Sequence, residues 1–372
     1  VGLAFLSICA FWQMYDSVMT LILTDTFKLN ETFAGAIMAA DNVLALFLLP
    51  FFGALSDRTH TRIGRRMPFI VGGTAAAVIL MNLIPLLDAR YAASPSTGTL
   101  VLFIIVLGLL LVSMGTYRSP AVALMPDVTL KPLRSKANAV INLMGSAGGI
   151  LVLALGMVFA TSAVRNSLMS YIGYFGVIAA LMLAALVIFL LTVREQEWSA
   201  EMQQQAVAAG LEEQSEADDP TASRKLSADE VKSLIFILLS IVLWFFGYNA
   251  VTSKYSVYAS NILHKDYNLT LIIAQAAAIV AYLPVGFIAS KVGRKKTILA
   301  GVVMLTGAFT VAAFLNADSP TMLMNAMFAL AGIGWATINV NSFPMVVELA
   351  SGGDVGKYTG FYYTASMAAQ VA

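Results

Sequence analysis

Charge is scarce in this sequence. Lysine, arginine, aspartate and glutamate make up 12% of its 372 residues, against about 25% in soluble domains. Hydrophobic residues make up 59%. A water-soluble protein of that composition could not cover its surface with polar groups, so much of the chain is solvated by lipid. Cysteine is nearly missing. The single Cys9 excludes a disulfide framework and leaves the redox compartment open. The two histidines, His60 and His264, lie far apart, and no metal site follows from them. There is no Walker loop to support direct ATP drive, and no nucleophile–base constellation. No cofactor and no enzymatic activity are expected. A net charge of +1 offers no basic field to nucleic acid. The sequence begins at Val1 and ends at Ala372 inside an apolar run. Both ends read as trimmed, which leaves a signal peptide undecided.

What the sequence has in abundance is long apolar runs. A bilayer core needs about 20 mostly apolar residues per helix. Runs of that length predict spans near 1–23, 33–56, 67–88, 100–124, 137–161, 170–193, 233–258, 268–290, 297–315, 320–344 and 357–372. Eleven is an odd count, and a twelfth span is expected beyond Ala372. Residues 194–232 are different: acidic, with three consecutive glutamines and no long apolar run. They read as a solvated linker, partly helical around 199–210. The linker ends in Ser227-Ala-Asp-Glu230, a capping-box pattern that would start the seventh span. The predicted organisation is a bundle over 1–193, a cytoplasmic linker over 194–232 and an incomplete bundle over 233–372.

Basic residues orient such a chain. With the N-terminus in the cytoplasm, the inner loops hold Arg58, Arg62, Arg65, Arg66, Lys131, Arg134, Lys136, Arg194, Arg224, Lys225, Lys232, Lys291, Arg294, Lys295, Lys296 and Lys357. The outer loops hold only Lys28, Arg90, Arg165 and Lys265. The expected location is the plasma (cytoplasmic) membrane, with the N-terminus and central loop inside.

The two halves echo each other. Gly53-Ala-Leu-Ser-Asp57-Arg58 leads to Gly64-Arg65-Arg66 between spans two and three. Gly286-Phe-Ile-Ala-Ser290-Lys291 leads to Gly293-Arg294-Lys295-Lys296 between spans eight and nine. One basic cluster anchors a loop to anionic lipid, but recurrence at the same place in both halves points to internal duplication. Two bundles related by repetition, with substrate near the midplane, form a known transporter architecture.

Gly53-x-x-x-Asp57-Arg58 followed by Gly64-Arg65-Arg66 resembles the inner-loop signature of the major facilitator superfamily. The longer spacing from Asp57 to Gly64, and Gly64-Arg-Arg-Met-Pro-Phe-Ile70, resemble the glycoside-pentoside-hexuronide cation symporters and most of all their sucrose-carrier branch. Tyr117-Arg118-Ser-Pro120-Ala-Val-Ala-Leu124-Met-Pro-Asp127 is similar to the fourth-span stretch of the same group, and Arg134-Ser-Lys-Ala-Asn138 with Ile141-Asn142-Leu continues it. The resemblance covers essentially the whole chain and implies an all-α membrane fold of two six-helix bundles. It also implies a gating role for Gly53, Asp57, Arg58, Gly64, Arg65, Arg66, Gly293 and Arg294, and a part in sugar binding and coupling for Arg118. There are departures. Ser290 stands where the second copy of the signature has an aspartate. Ala45 and Leu49 stand where the melibiose-type branch carries paired acids for sodium, which favours proton coupling.

Ionisable residues inside spans are functional candidates. Here they are Asp16, Asp41, Arg118 and Lys254. Each has an ordinary alternative. Lys254 can snorkel to headgroups. Arg118 can do so too, or pair with Asp127. Asp41 can belong to a loop, and Asp16 can make a structural hydrogen bond. The functional reading is a site for a neutral sugar: arginine donates from a planar fork, carboxylates accept, and aromatic faces take the apolar side of a ring. Arg118, Asp16, Gln13, Tyr117, Tyr248, Asn249, Asn339 and Asn341 supply that chemistry, with Trp12, Trp244 and Trp335 near them. Asp41, or else Asp16, would carry the proton. Pro120 is expected to weaken the inner end of span four. Glycines 145, 148, 149 and 156 suit close helix packing in span five. Asn30-Glu-Thr32 and Asn268-Leu-Thr270 match glycosylation acceptors.

The expectation is therefore a monomeric secondary transporter, a proton-coupled symporter for a sugar or glycoside working by alternating access. An efflux antiporter for a lipophilic compound, suggested by the 18 methionines, and a transporter-like sensor are the competing readings.

Overall fold

A computed structural model describes residues 1–159, 161, 170–210, 226–258, 263, 267–350 and 353–371. Among them there are twelve α-helices and no strand. In chain order they are α1 Gly2–Leu21, α2 Glu31–Asp57, α3 Met67–Ala93, α4 Thr97–Asp127, α5 Arg134–Val158, α6 Ile172–Thr192, α7 Glu195–Ala208, α8 Ala228–Tyr258, α9 Tyr267–Val292, α10 Arg294–Ala313, α11 Thr321–Val347 and α12 Val355–Val371. Ten of them are long and apolar enough to cross a bilayer. The eleventh expected span is α12, with 17 residues. The remaining helix, α7, lies in the linker.

Local sequence explains the boundaries. α1 runs on through a π turn at Ile22–Thr26. The Asn30 side chain caps α2 by accepting from the Phe33 amide at 2.8 Å. The Ser96 hydroxyl caps α4 by accepting from Thr99 at 3.2 Å. The Ser227–Glu230 capping box forms: Glu230 accepts from the Ser227 amide at 2.8 Å, and the Ser227 hydroxyl accepts from the Glu230 amide at 3.2 Å. α4 is continuous through Pro120 and Pro126, so the expected weak point is not a break in the helix. Lys254 lies on α8, but its side chain is outside the described residues, as are Arg165, Arg224, Lys225 and Lys265 and the side chain of Asn268.

In the first half α1 packs on α5, and α4 packs on both α2 and α3. In the second half α8 packs on α12, and α11 packs on both α9 and α10. The second set of pairings repeats the first, element for element. α6 lies against α1 and α3. Gly148 of α5 sits against the Leu6 carbonyl, where a Cβ would collide. Buried Phe11, Met14, Met81, Phe103, Met114, Phe175 and Met182 build a core through α1, α3, α4 and α6. Outward-facing Phe47, Leu191, Val303 and Met157 are left exposed, as expected for side chains that meet acyl chains. The halves touch where α2 meets α12 and where α5 meets α9 and α11, with α4 also reaching α12.

Candidate functional site

The centre of the molecule gathers charges and rings from both halves. Arg118 projects from α4 with its guanidinium carbon 5.4 Å from the Trp12 ring centroid and 4.8 Å from that of Tyr363. α1 supplies one aromatic face and α12 the other. The Arg118 Nε is buried without a partner. Asp16 of α1 and Asp41 of α2 are close enough to interact electrostatically with each other and with Arg118. Asp16 is exposed and Asp41 half-buried, with one buried carboxylate oxygen unpartnered. One turn before Asp16, Gln13 donates to the Ser17 hydroxyl at 3.2 Å. The indole N–H of Trp12, the indole N–H of Trp244 and the amide nitrogen of Asn249 are also buried and unpartnered. Buried donors without acceptors are costly; of these, Trp12 lies against Arg118, and Trp244 lies beside Tyr248.

The other expected residues divide. Tyr248 lies in an aromatic row with Phe309 and Trp335, each at 6.2 Å, and helps line an apolar cavity of about 530 Å³ between α8, α10 and α11. Asn339 is engaged across the two halves. It donates to Asn142 Oδ1 at 3.2 Å and accepts from the Tyr362 hydroxyl at 3.2 Å. Tyr117 is fully buried, with its Cβ against Gly73 of α3. Asn341 is fully buried and donates to the Thr337 carbonyl of its own helix at 2.8 Å. Tyr117 is nonetheless within electrostatic reach of Arg118, whereas Asn341 is turned back on its own helix. Asp127 is not the partner of Arg118, being held elsewhere.

Below the centre, at the end that carries the basic loops, the halves are closed on each other. Arg66 is fully buried. It donates to Asp57 at 2.5 Å, to Asp127 at 2.9 Å and to the Ser56 hydroxyl at 2.5 Å. Arg65 pairs with Asp127 at 2.8 Å. Burial works against the charge of Arg66, but Asp127 and Asp57 overcome it and hold its pKa above the ordinary arginine value. Asp57 then reaches the other half, accepting from the backbone amides of Gly356 and Lys357 at 2.8 Å each, at the start of α12. A helix N-terminus is a natural seat for a carboxylate. Gly53 lies against the Gly356 carbonyl with no room for a Cβ. Arg58 stays exposed.

The second copy of the signature closes the other seam. Arg294 donates to the Ser135 hydroxyl at 2.7 Å and to the Lys131 carbonyl at 2.6 Å, and it pairs with Glu348. Ser290 bonds its own helix, at the Gly286 carbonyl. Gly64 at φ +120° and Gly293 at φ +96° make the turns that bring the basic clusters round.

Sequence reasoning missed Glu195 and Glu348 as members of this closure. Glu195, the first residue of α7, accepts from the amides of Arg65 at 2.9 Å, Arg66 at 2.9 Å and Met67 at 3.0 Å. It caps the start of α3 from the linker. Burial pushes its carboxyl pKa up, against the hydrogen bonds from Arg66 and Met67 that favour the charged form. No local pattern marks an acid that acts across 130 residues of sequence. Tyr363 was missed for the same reason.

Ten lipid-crossing helices around a polar centre, sealed at one end by charge, define a multi-pass membrane transporter rather than an enzyme. The chain belongs to the Major Facilitator Superfamily, whose family profile matches residues 1–372. Among curated proteins it is similar to sucrose transport protein SUC3 of Arabidopsis thaliana, 31% identical over 157 residues. That match covers 39% of this chain and only 26% of the plant protein. Among solved structures it resembles the proton:xylose symporter XylE bound to 6-bromo-6-deoxy-D-glucose, with TM-score 0.66 and 17% identity over 99% of this chain and 84% of that one. A bacterial homologue of the iron transporter ferroportin in its outward-facing state has TM-score 0.68 and 15% identity over 100% of this chain and 88% of that one. The human organic anion transporter MFSD10 has TM-score 0.63 and 15% identity over 100% and 90%. At these identities the likeness to solved structures is one of fold.

Proposed function

We propose that this protein is a proton-coupled symporter for a sugar or glycoside, working by alternating access between two bundles, 1–193 and 233–372, joined by a cytoplasmic linker. The observation that carries the reading is Arg118 held between two aromatic faces from opposite halves, with Asp16 and Asp41 beside it. A planar donor fork, carboxylate acceptors and ring faces suit a polyhydroxylated ring. A sucrose transporter and a proton:xylose symporter among the similar proteins support the same substrate class. Among the acids, Asp41 is the favoured proton carrier, because it is half-buried with an unsatisfied oxygen, while Asp16 is the more exposed and beside Arg118, where it can meet substrate.

Purified protein in proteoliposomes, offered a panel of sugars and glycosides with and without an inward proton gradient, tests this directly. Accumulation of at least one sugar is expected only with the gradient. Asp41→Asn should lose accumulation while keeping downhill exchange. Uptake driven by sodium alone at constant pH would overturn proton coupling, and no sugar moved under any condition would overturn the substrate class.

A further inference from the structure

A proline inside a helix has no N–H, so the carbonyl four residues earlier loses its donor. In a bilayer core, water does not stand in for that donor, and an unsatisfied carbonyl is costly. α2 contains Pro50 and α11 contains Pro344. The carbonyls they release are those of Leu46 and Val340. Both are bonded, and each by a side chain of the opposite half. The Thr364 hydroxyl of α12 donates to the Leu46 carbonyl at 3.2 Å. The Asn138 amide of α5 donates to the Val340 carbonyl at 2.9 Å, with a longer contact of 3.3 Å to the Asn339 carbonyl.

Neither bond is the default for its residue. Threonines in these helices usually return their hydroxyl to their own helix, as Thr337 does to Ile333 at 2.7 Å and Thr359 to Val355 at 2.8 Å. Thr364 instead crosses the seam. It reaches because α2 and α12 meet at backbone contact, with Gly360 against Pro50 and no space for a Cβ. Asn138 is itself 4% exposed. The two bonds are arranged reciprocally: the first half supplies the carbonyl on one seam and the side chain on the other.

We propose that Asn138 and Thr364 are positioning residues that latch the two halves together by bonding carbonyls left free by Pro344 and Pro50. The chemistry suits a latch that must open. A carbonyl in the regular helical ladder is already occupied, so a side chain gains little from it. A proline-freed carbonyl has its whole acceptor capacity available to the other half. When the seam parts and water enters, water takes the side chain's place without breaking a helical bond. Closure is favoured while the seam is dry, and opening costs little once it is wet. The latches also adjoin the central site: Thr364 follows Tyr363, whose ring faces Arg118, and Asn339 beside Val340 bonds Asn142. This inference rests on the reading that the halves separate at the end carrying the basic loops.

The test is a distance measurement between spin labels on Arg62→Cys and Lys295→Cys, exposed positions on opposite halves at that end, in a Cys9→Ala background in lipid nanodiscs. Asn138→Ala and the near-isosteric Thr364→Val should each raise the ratio of long to short distances by about fivefold, the effect of losing one hydrogen bond. Pro344→Ala returns an N–H to the Val340 carbonyl, and Pro50→Ala returns one to Leu46. In the Pro344→Ala background Asn138→Ala should have little further effect, and likewise Thr364→Val in the Pro50→Ala background. Equal effects with and without the proline would overturn the proposal, because Asn138 and Thr364 would then act by packing alone. Asp57→Asn serves as the reference opening. If it lengthens the distance and the latch variants do not, the latch fails and alternating access stands. If no variant and no sugar changes the distribution, both readings fail.

Discussion

Arg118 shows how a membrane-buried charge is stabilised by ring faces as well as by carboxylates. Two cation–π contacts, to Trp12 and Tyr363, each contribute on the order of 0.5–2 kcal/mol depending on desolvation. Lysine in place of Arg118 would keep the charge but lose the flat surface that both rings meet. Arg118→Lys is expected to weaken sugar binding about tenfold, roughly 1.4 kcal/mol, measured by calorimetric titration of a sugar that the transport panel identifies. Unchanged affinity would remove Arg118 from the site. Arg66 is the opposite case, a charge satisfied by two acids, a hydroxyl and the Gly53 carbonyl, with no ring face. Removing one partner of a buried network costs about 3–5 kcal/mol, so Arg66→Ala should lower the thermal unfolding midpoint in detergent far more than Arg58→Ala, which alters an exposed residue. Similar midpoints for the two would mean that the network carries no stability.

Helix ends and turns decide how the elements are set at the closed face. Gly64 and Gly293 occupy equivalent turns, and both have positive φ. Their surroundings differ. A Cβ on Gly64 would collide with the Glu195 carboxylate, while a Cβ on Gly293 meets open space. Strain of about 1–2 kcal/mol is common to both alanine variants. Gly64→Ala should be the more destabilising in scanning fluorimetry, and the difference should shrink in a Glu195→Ala background, which removes the carboxylate and leaves only the Cβ at 3.0 Å. An undiminished difference would show that the Glu195 carboxylate is not what fills that space. Glu195→Ala itself leaves three amides at the start of α3 without their acceptor, at about 1–3 kcal/mol for each one that stays dry.

At the scale of the molecule, the structure is a transporter sealed at the basic-loop end, with Asp16 left exposed on α1 away from the seal. In the resting protein, a cysteine placed at Asp16 in the Cys9→Ala background is expected to react with a water-soluble thiol reagent. One at Ser119, buried on α4 with its hydroxyl facing the Gly356 carbonyl at 3.5 Å, should be protected. Addition of a transported sugar with a proton gradient should then expose position 119 intermittently. Protection at Asp16 together with reaction at Ser119 would mean that the opposite conformation is the resting one.

Hydropathy, basic loops and the doubled signature were enough to read an all-helical membrane fold, its spans and its superfamily, because lipid dictates span length and backbone self-satisfaction residue by residue. The Ser227–Glu230 cap was legible for the same reason: its partners are three residues apart. Boundaries were less so. α4 begins at Thr97, where Ser96 caps it, and ends at Asp127, where Arg65 and Arg66 hold the acid at the seal, both beyond the apolar run that suggested it. The sequence also named Arg118, Asp16 and Asp41, as charges inside apolar runs need a reason to be there. It could not say that Tyr117 and Asn341 turn into the helix packing, that Asn339 joins the two halves, or that Tyr363, Glu195 and Glu348 belong with residues far away. An apolar pattern repeats through all faces of a membrane helix, so it does not mark which face meets a neighbouring helix. Only the crossing of α2 with α12 and of α5 with α11 decides which side chain reaches which carbonyl.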